Sequence, residues 1–168
     1  MSFNNGPTIV TNGLVLALDA GDRNSYPGTG TTWRDLSGNN NNGTLTNGPT
    51  FNTGSLGSIV FDGVDDYVLI NAFSLLAPLT ICSWVYKTSH RTWASILDRY
   101  GNESLDSLAF GFDFTDGQRL MYQWDNVPPF ANRVVGNTII NTNQWYYIGI
   151  SATTTTGSFF IIVYLKQQ

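Results

Sequence analysis

One cysteine, Cys82, stands among 168 residues, so no disulfide can close within the chain. One histidine, His90, and one glutamate, Glu103, leave little for nucleophilic or paired acid–base chemistry. Charged residues make up 12% of the chain, about half the usual share. The eight Lys and Arg are scattered singly and the formal net charge is −4, so there is no basic patch for nucleic acid. No apolar run nears the roughly 18 residues a membrane span needs. The opening MSFNNGPTIV has neither a basic n-region nor a long apolar stretch, and it gives no support to export by a signal peptide. Helix signals are equally scarce: no window of roughly 11 residues combines apolar spacing of three to four with good helix formers.

What is present is strand-forming. Hydrophobic residues at 42% and aromatics at 14% are enough for a packed interior. Thr, Val, Ile, Tyr, Phe and Trp recur in short runs between Gly, Asn, Asp and Pro clusters. The runs are LVLALD (14–19), SIVF (58–61), DYVLI (66–70), LTICSWVY (79–86), WASILDR (93–99), SLAFGFDF (107–114), RLMYQW (119–124), RVVGNTII (133–140), WYYIGISA (145–152) and FFIIVYL (159–165). Short strands at this spacing predict an all-β sandwich. Alternation agrees with it. Ile81, Ser83 and Val85 interleave with Thr80, Cys82, Trp84 and Tyr86, and Leu108, Phe110, Phe112 and Phe114 share a face. TDGQ (115–118) reads as a hairpin turn, and TTTTGS (153–158) as another with Gly157 at the bend. Cys82 is expected as a small buried side chain, and Trp84 and Trp145, inside strands, as core. The polar stretch between residues 20 and 57 carries Tyr26, Trp33, Leu36, Leu45 and Phe51, and is expected to be ordered through these anchors.

FDGVDDYV (61–68) sets three carboxylates in one turn. The structural reading is a hairpin between flanking strands, with Gly63 supplying positive φ and Asp side chains accepting backbone N–H groups. The alternative is a calcium site, since carboxylates and loop carbonyls suit a hard cation, though the spacing is not that of a dedicated calcium loop. The metal candidates are Asp65, Asp66, Asp98 and Asn102. Catalysis is disfavoured. A retaining glycosidase needs two carboxyl groups about 5–5.5 Å apart, and no strand carries an alternating acid pair.

Several segments together resemble the concanavalin A-like jelly rolls in their laminin G-like form. They are the block with Trp33, Asp35, Ser37, Gly38 and Gly43, then SIVFDGVDDYV, LTICSWVYKTS and NTNQWYYIGIS. The N-terminal block is similar to versions in bacteriophage particle proteins. The resemblance implies a two-sheet antiparallel jelly-roll sandwich over residues 13–168; apart from it, residues 1–12 are expected as a tail docking on a neighbour. It also implies calcium in loops of some relatives, and glucanases among others. Such domains usually run on into an Asn-Gly hairpin where this sequence reads YLKQQ, so a trimmed C-terminus or completion by a neighbouring subunit is expected, and with it a homo-oligomer.

Binding is the expected role. Amphipathic aromatics beside short polar side chains suit sugars and adaptable protein contacts. The ligand candidates are Trp93, Tyr100, Trp124, Asp125, Asn126 and Phe130, with Tyr26 and Trp33 also outside clear strand cores. WDNVPPF (124–130) is notable for an aromatic at each end of a stiff Pro-Pro loop; Trp124 and Phe130 packing under that loop is the structural alternative. The expectation is a non-enzymatic virion structural or decoration protein of a bacteriophage, on capsid or tail, with host-glycan adhesion. Its partners would be other virion proteins and copies of itself. The alternatives are a secreted or cell-surface carbohydrate-binding module and a glycoside hydrolase of the same fold.

Overall fold

A computed structural model describes residues 10–71, 73, 75, 77–99, 108–124, 133–153 and 156–164. Its strands are β1 (Thr32–Trp33), β2 (Gly43–Thr46), β3 (Thr50–Asn52), β4 (Ser58–Val60), β5 (Tyr67–Ile70), β6 (Leu79–Tyr86), β7 (Ser95–Arg99), β8 (Leu108–Phe112), β9 (Arg119–Trp124), β10 (Arg133–Ile139), β11 (Trp145–Ala152) and β12 (Gly157–Tyr164). Among the described residues there is no α-helix, only a 3-10 turn at Gly54–Leu56. Every ladder is antiparallel. The all-β expectation holds. The chain divides into two compact units, Met1–Ser74 and Leu75–Gln168.

The second unit packs a four-stranded sheet, β10-β9-β8-β7, on a three-stranded one, β12-β11-β6. Leu108, Phe110 and Phe112 of β8 and Leu120 and Tyr122 of β9 meet Tyr146, Ile148, Ile150 and Ala152 of β11. Ile81, Val85 and Ile161 close over them. Period-2 alternation places these side chains on the inner faces. Each fully buried Leu, Ile or Phe here contributes about 1.5–3 kcal/mol by leaving water. TDGQ forms the expected hairpin: Gly117 takes φ +64 and donates its N–H to the Asp113 carbonyl at 2.7 Å. At the β11–β12 turn the Thr153 N–H donates to the Thr156 carbonyl (2.8 Å), and Gly157 pairs with Ala152 inside the ladder, not at the bend.

The first unit corrects two expectations. LVLALD forms no strand. Its carbonyls are taken by side chains: Asn39 Nδ2 donates to the Leu14 carbonyl, and Ser37 Oγ and Asn41 Nδ2 donate to that of Val15. The Leu36 N–H donates to the Ala17 carbonyl. With its backbone groups met from one loop, the segment has no ladder to join. Nor is FDGVDDYV a hairpin, because β4 pairs with β3 and β5 with β2. The true reversal lies between β3 and β4. Residues 61–66 swell out of the returning strand opposite residues 47–49.

The polar stretch is ordered around its aromatics as expected. Tyr26 and Leu45 are buried, and the Tyr26 ring lies 5.4 Å from Phe51 and 6.4 Å from Trp33. Asp35 organises the Trp33–Gly43 block. Its Oδ1 accepts the N–H groups of Ala17 and Ser37, both at 2.9 Å, and its Oδ2 accepts Ser37 Oγ (2.7 Å) and the Asn41 N–H (3.0 Å). Desolvation would raise the Asp35 pKa, but these hydrogen bonds, led by the Ser37 hydroxyl, outweigh it and the value is lowered.

Candidate functional site

The face of β6-β11-β12 turned away from the core is aromatic. Register pairs Trp84 with Tyr147 and Tyr86 with Trp145 across β6 and β11. Their ring centroids lie 5.2 and 5.4 Å apart, tilted at 49° and 53°. Trp84 is 49% exposed and Tyr86 45%. On β12, Phe160 stands opposite Gly149. A Cβ on Gly149 would fall 2.2 Å from Phe160 Cζ, so the ring lies over bare glycine backbone. Phe160 also reaches to 6.4 Å from Tyr147, and Ile162, beside it on β12, is 51% exposed. At the far end of the same face the residues are hydroxylic: Thr80 opposes Ser151, which opposes Ser158.

This overturns the assignment of Trp84 and Trp145 to the core. Both lie on the outer face, where indole and phenol rings keep a polar edge toward water. The inner positions of β6 go to the smaller Ile81, Ser83 and Val85. Cys82 is likewise exposed, not buried. The neighbouring Cys82, through hydrogen bonding and charge, acts with desolvation to push the Tyr147 pKa up to about 12. The phenol therefore stays neutral through the physiological range, as a hydrogen-bonding group should.

Of the expected ligand residues, Trp93 and Trp124 are among those described. Trp93 is 61% exposed with φ +63, its ring stacked 4.8 Å from Phe114 at 17°. The Arg133 guanidinium lies 4.1 Å from the centroid of that Phe114 ring. Trp124 stacks on buried Tyr122 at 5.6 Å and packs against the core, while the loop under which it was expected to pack lies outside the described residues. Tyr26 is 4% exposed and spends its hydroxyl on the Gly30 carbonyl. Tyr100, Asp125, Asn126 and Phe130 lie outside the described residues, as does Asn102 of the metal candidates. The signal for the aromatic face was in the sequence: Trp84 and Tyr86 share one strand parity, and so do Trp145 and Tyr147.

The carboxylates of Asp62, Asp65 and Asp66 each bring an oxygen within 4.8 Å of the others. Their backbone and side-chain donors are close at hand. Asp66 Oδ2 accepts the Asp62 N–H (2.9 Å), and Asp62 Oδ1 accepts the Val64 N–H (2.7 Å). Asn47 Nδ2 donates to both the carbonyl and Oδ2 of Asp65. These bonds hold the swelling at residues 61–66 against the opposite strand. Asp98, on β7, takes a hydrogen bond from Ser95 Oγ at 3.3 Å, and desolvation raises its pKa.

The acids at the β8–β9 hairpin are committed to cations. Buried Asp113 meets Arg119 at 3.4 Å and Arg133 at 3.8 Å. Asp116 meets Arg119 Nε at 2.9 Å. Lys87, also buried, donates to the Gly117 carbonyl and sits 3.8 Å above the Phe112 ring.

Comparison with known proteins gives one family. A laminin G-type model, described as the concanavalin A-like lectin/glucanases superfamily, matches residues 62–161. No curated protein and no solved structure matches the chain.

Proposed function

The chain belongs to the concanavalin A-like lectin/glucanase superfamily, and from that premise we propose that it is a non-catalytic adhesion module that binds carbohydrate on the outer face of β6-β11-β12. The observation that carries this reading is the pairing of half-exposed Trp84 and Tyr86 with Tyr147 and Trp145, running on to Thr80, Ser151 and Ser158. Sugar rings present apolar C–H faces to aromatic rings and hydroxyls to hydroxyls. The two aromatic pairs are offset by two residues along the strands, roughly 6.8 Å, which makes a platform longer than one ring. A rigid sheet face also loses little entropy on binding. The commitment of Asp113 and Asp116 to arginines supports the non-enzymatic side of the proposal.

The setting proposed for this adhesion is the surface of a bacteriophage particle. There the module would decorate capsid or tail beside other virion proteins and copies of itself, and meet host-surface glycan. Its support is the similarity of the Trp33–Gly43 block to particle proteins.

Titration of the full chain with host-surface polysaccharides tests the proposal. Binding is expected for the wild type, at least about tenfold weaker in Trp84→Ala, with no reducing ends released. Absence of any glycan binding, combined with stoichiometric presence in purified particles, would leave decoration alone. Release of reducing ends would make the chain a hydrolase.

A further inference from the structure

The first unit holds a cavity of about 230 Å³, lined among others by Arg23, Tyr26, Phe51, Thr53, Leu56 and Gly57. Arg23 is its one charged side chain. It makes no hydrogen bond or ion pair among the described residues. The acids nearest in sequence are already engaged: Asp19 Oδ1 accepts the Gly21 N–H, and Asp22 Oδ1 accepts the N–H and Nδ2 of Asn24. The exposed Arg23 guanidinium thus has solvent, and no acidic side chain among the described residues, for a partner at this cavity in a chain of net charge −4.

The walls are preformed. A Cβ on Gly21 would lie 2.4 Å from the Leu56 carbonyl oxygen, and one on Gly57 2.8 Å from that of Ala20, so two loops meet backbone to backbone. Phe51 and Tyr26 supply aromatic surface, and Gly28, at φ +93, leaves Phe51 uncovered where a Cβ would touch it at 3.4 Å. At the lip, Ser55 and Leu56 hold left-handed φ of 56° and 69°, and Leu56 is 93% exposed. Non-glycine residues in that region are strained, and such strain gathers at ligand clamps.

We propose that this cavity binds a single carboxylate-bearing pyranose, a uronic acid residue, with the ring against Phe51 and Leu56, the carboxylate on Arg23 and a hydroxyl on Thr53. The planar, singly charged carboxylate matches the guanidinium fork. The volume is below that of pockets for larger ligands, which suits one ring. The site goes beyond the aromatic sheet face and stands without it.

The test is amide-shift titration of the full chain with D-glucuronate, D-glucose and acetate. Glucuronate is expected to shift residues 20–28 and 51–57 with millimolar affinity, and glucose and acetate about tenfold more weakly. Arg23→Gln should weaken glucuronate about tenfold. Leu56→Gly relieves the left-handed backbone, so it should weaken binding without lowering the melting temperature. Equal affinity for glucose or acetate, indifference to Arg23→Gln, or no shift at about 100 mM glucuronate, far above a millimolar Kd, overturns the proposal.

Discussion

Trp84 and Tyr147 stand directly opposite each other on β6 and β11, rings 5.2 Å apart, on the side of the sheet away from the core. Their neighbours Val85 and Tyr146, one residue along, form the next pair and point inward. One sheet thus separates a surface aromatic row from a buried, largely aliphatic one. The two should respond differently to truncation. Trp84→Ala should cost no more than about 0.5–1.5 kcal/mol, the scale of an aromatic pair. Ile148→Ala, at a fully buried position, should cost about 2–5 kcal/mol. Denaturant unfolding of both variants checks this. A larger loss from Trp84 would return it to the core.

Gly149 makes room for Phe160. Gly149→Ala puts a methyl 2.2 Å from Phe160 Cζ and 2.7 Å from the Ile81 carbonyl oxygen. The ring must swing away, at a cost of about 1–3 kcal/mol. Glycan affinity should fall with it, because the aromatic row is broken. The double variant Gly149→Ala with Phe160→Ala should recover part of the stability.

Asp35 accepts four hydrogen bonds, and its pKa is lowered. The folded state then favours the carboxylate more than the unfolded chain does. Its contribution is present above the ordinary value of 3.8 and is lost as pH falls through the folded value. Asp35→Ala should cost on the order of 2–4 kcal/mol at pH 7. It should also flatten the acid limb of a stability-versus-pH curve relative to wild type.

In Lys87 folding disfavours the charged form, yet the pH trend has the same sign. Desolvation, partly offset by Asp116, brings its pKa from 10.5 down to about 8. Between those values the unfolded chain holds a proton that the folded chain has released. Stability from this group therefore rises with pH across that window, by on the order of 1–2 kcal/mol after allowance for solvent screening. Lys87→Met should remove that rise. Comparing the two proteins by denaturant unfolding at pH 8 and pH 10 isolates it from other titrating groups.

The acidic swelling at residues 61–66 separates hydrogen bonding from metal binding. Asp62→Ala frees the Val64 N–H and should cost about 1 kcal/mol. If the hydrogen bonds suffice, millimolar CaCl2 should move the melting temperature of the wild type by less than about 2 °C, since only a ligand favouring the folded state raises it. A larger rise that disappears in Asp65→Asn would assign the carboxylates as calcium ligands.

The strands of the second unit were legible because alternation and β-branched or aromatic content coincide there: β6, β9 and β11 match LTICSWVY, RLMYQW and WYYIGISA residue for residue. β1, β2 and β3 were not, since GTLT and TFN are short and polar enough to read as loop. The aromatic face was half legible. Parity grouped Trp84 with Tyr86 and Trp145 with Tyr147, but both faces of these strands are apolar, so parity could not say which one was inside.

Local composition by itself determined that this chain folds as antiparallel strands with tight Asp- and Gly-bearing turns, because pleat period and turn chemistry are properties of neighbouring residues. Which strand each one meets, which face is covered, and whether Leu14–Ala17 joins a ladder were decided only in three dimensions. Pairing partners and covering layers come from residues distant in sequence, as Asn39, Asn41 and Ser37 show by occupying the carbonyls that a neighbouring strand would otherwise have taken.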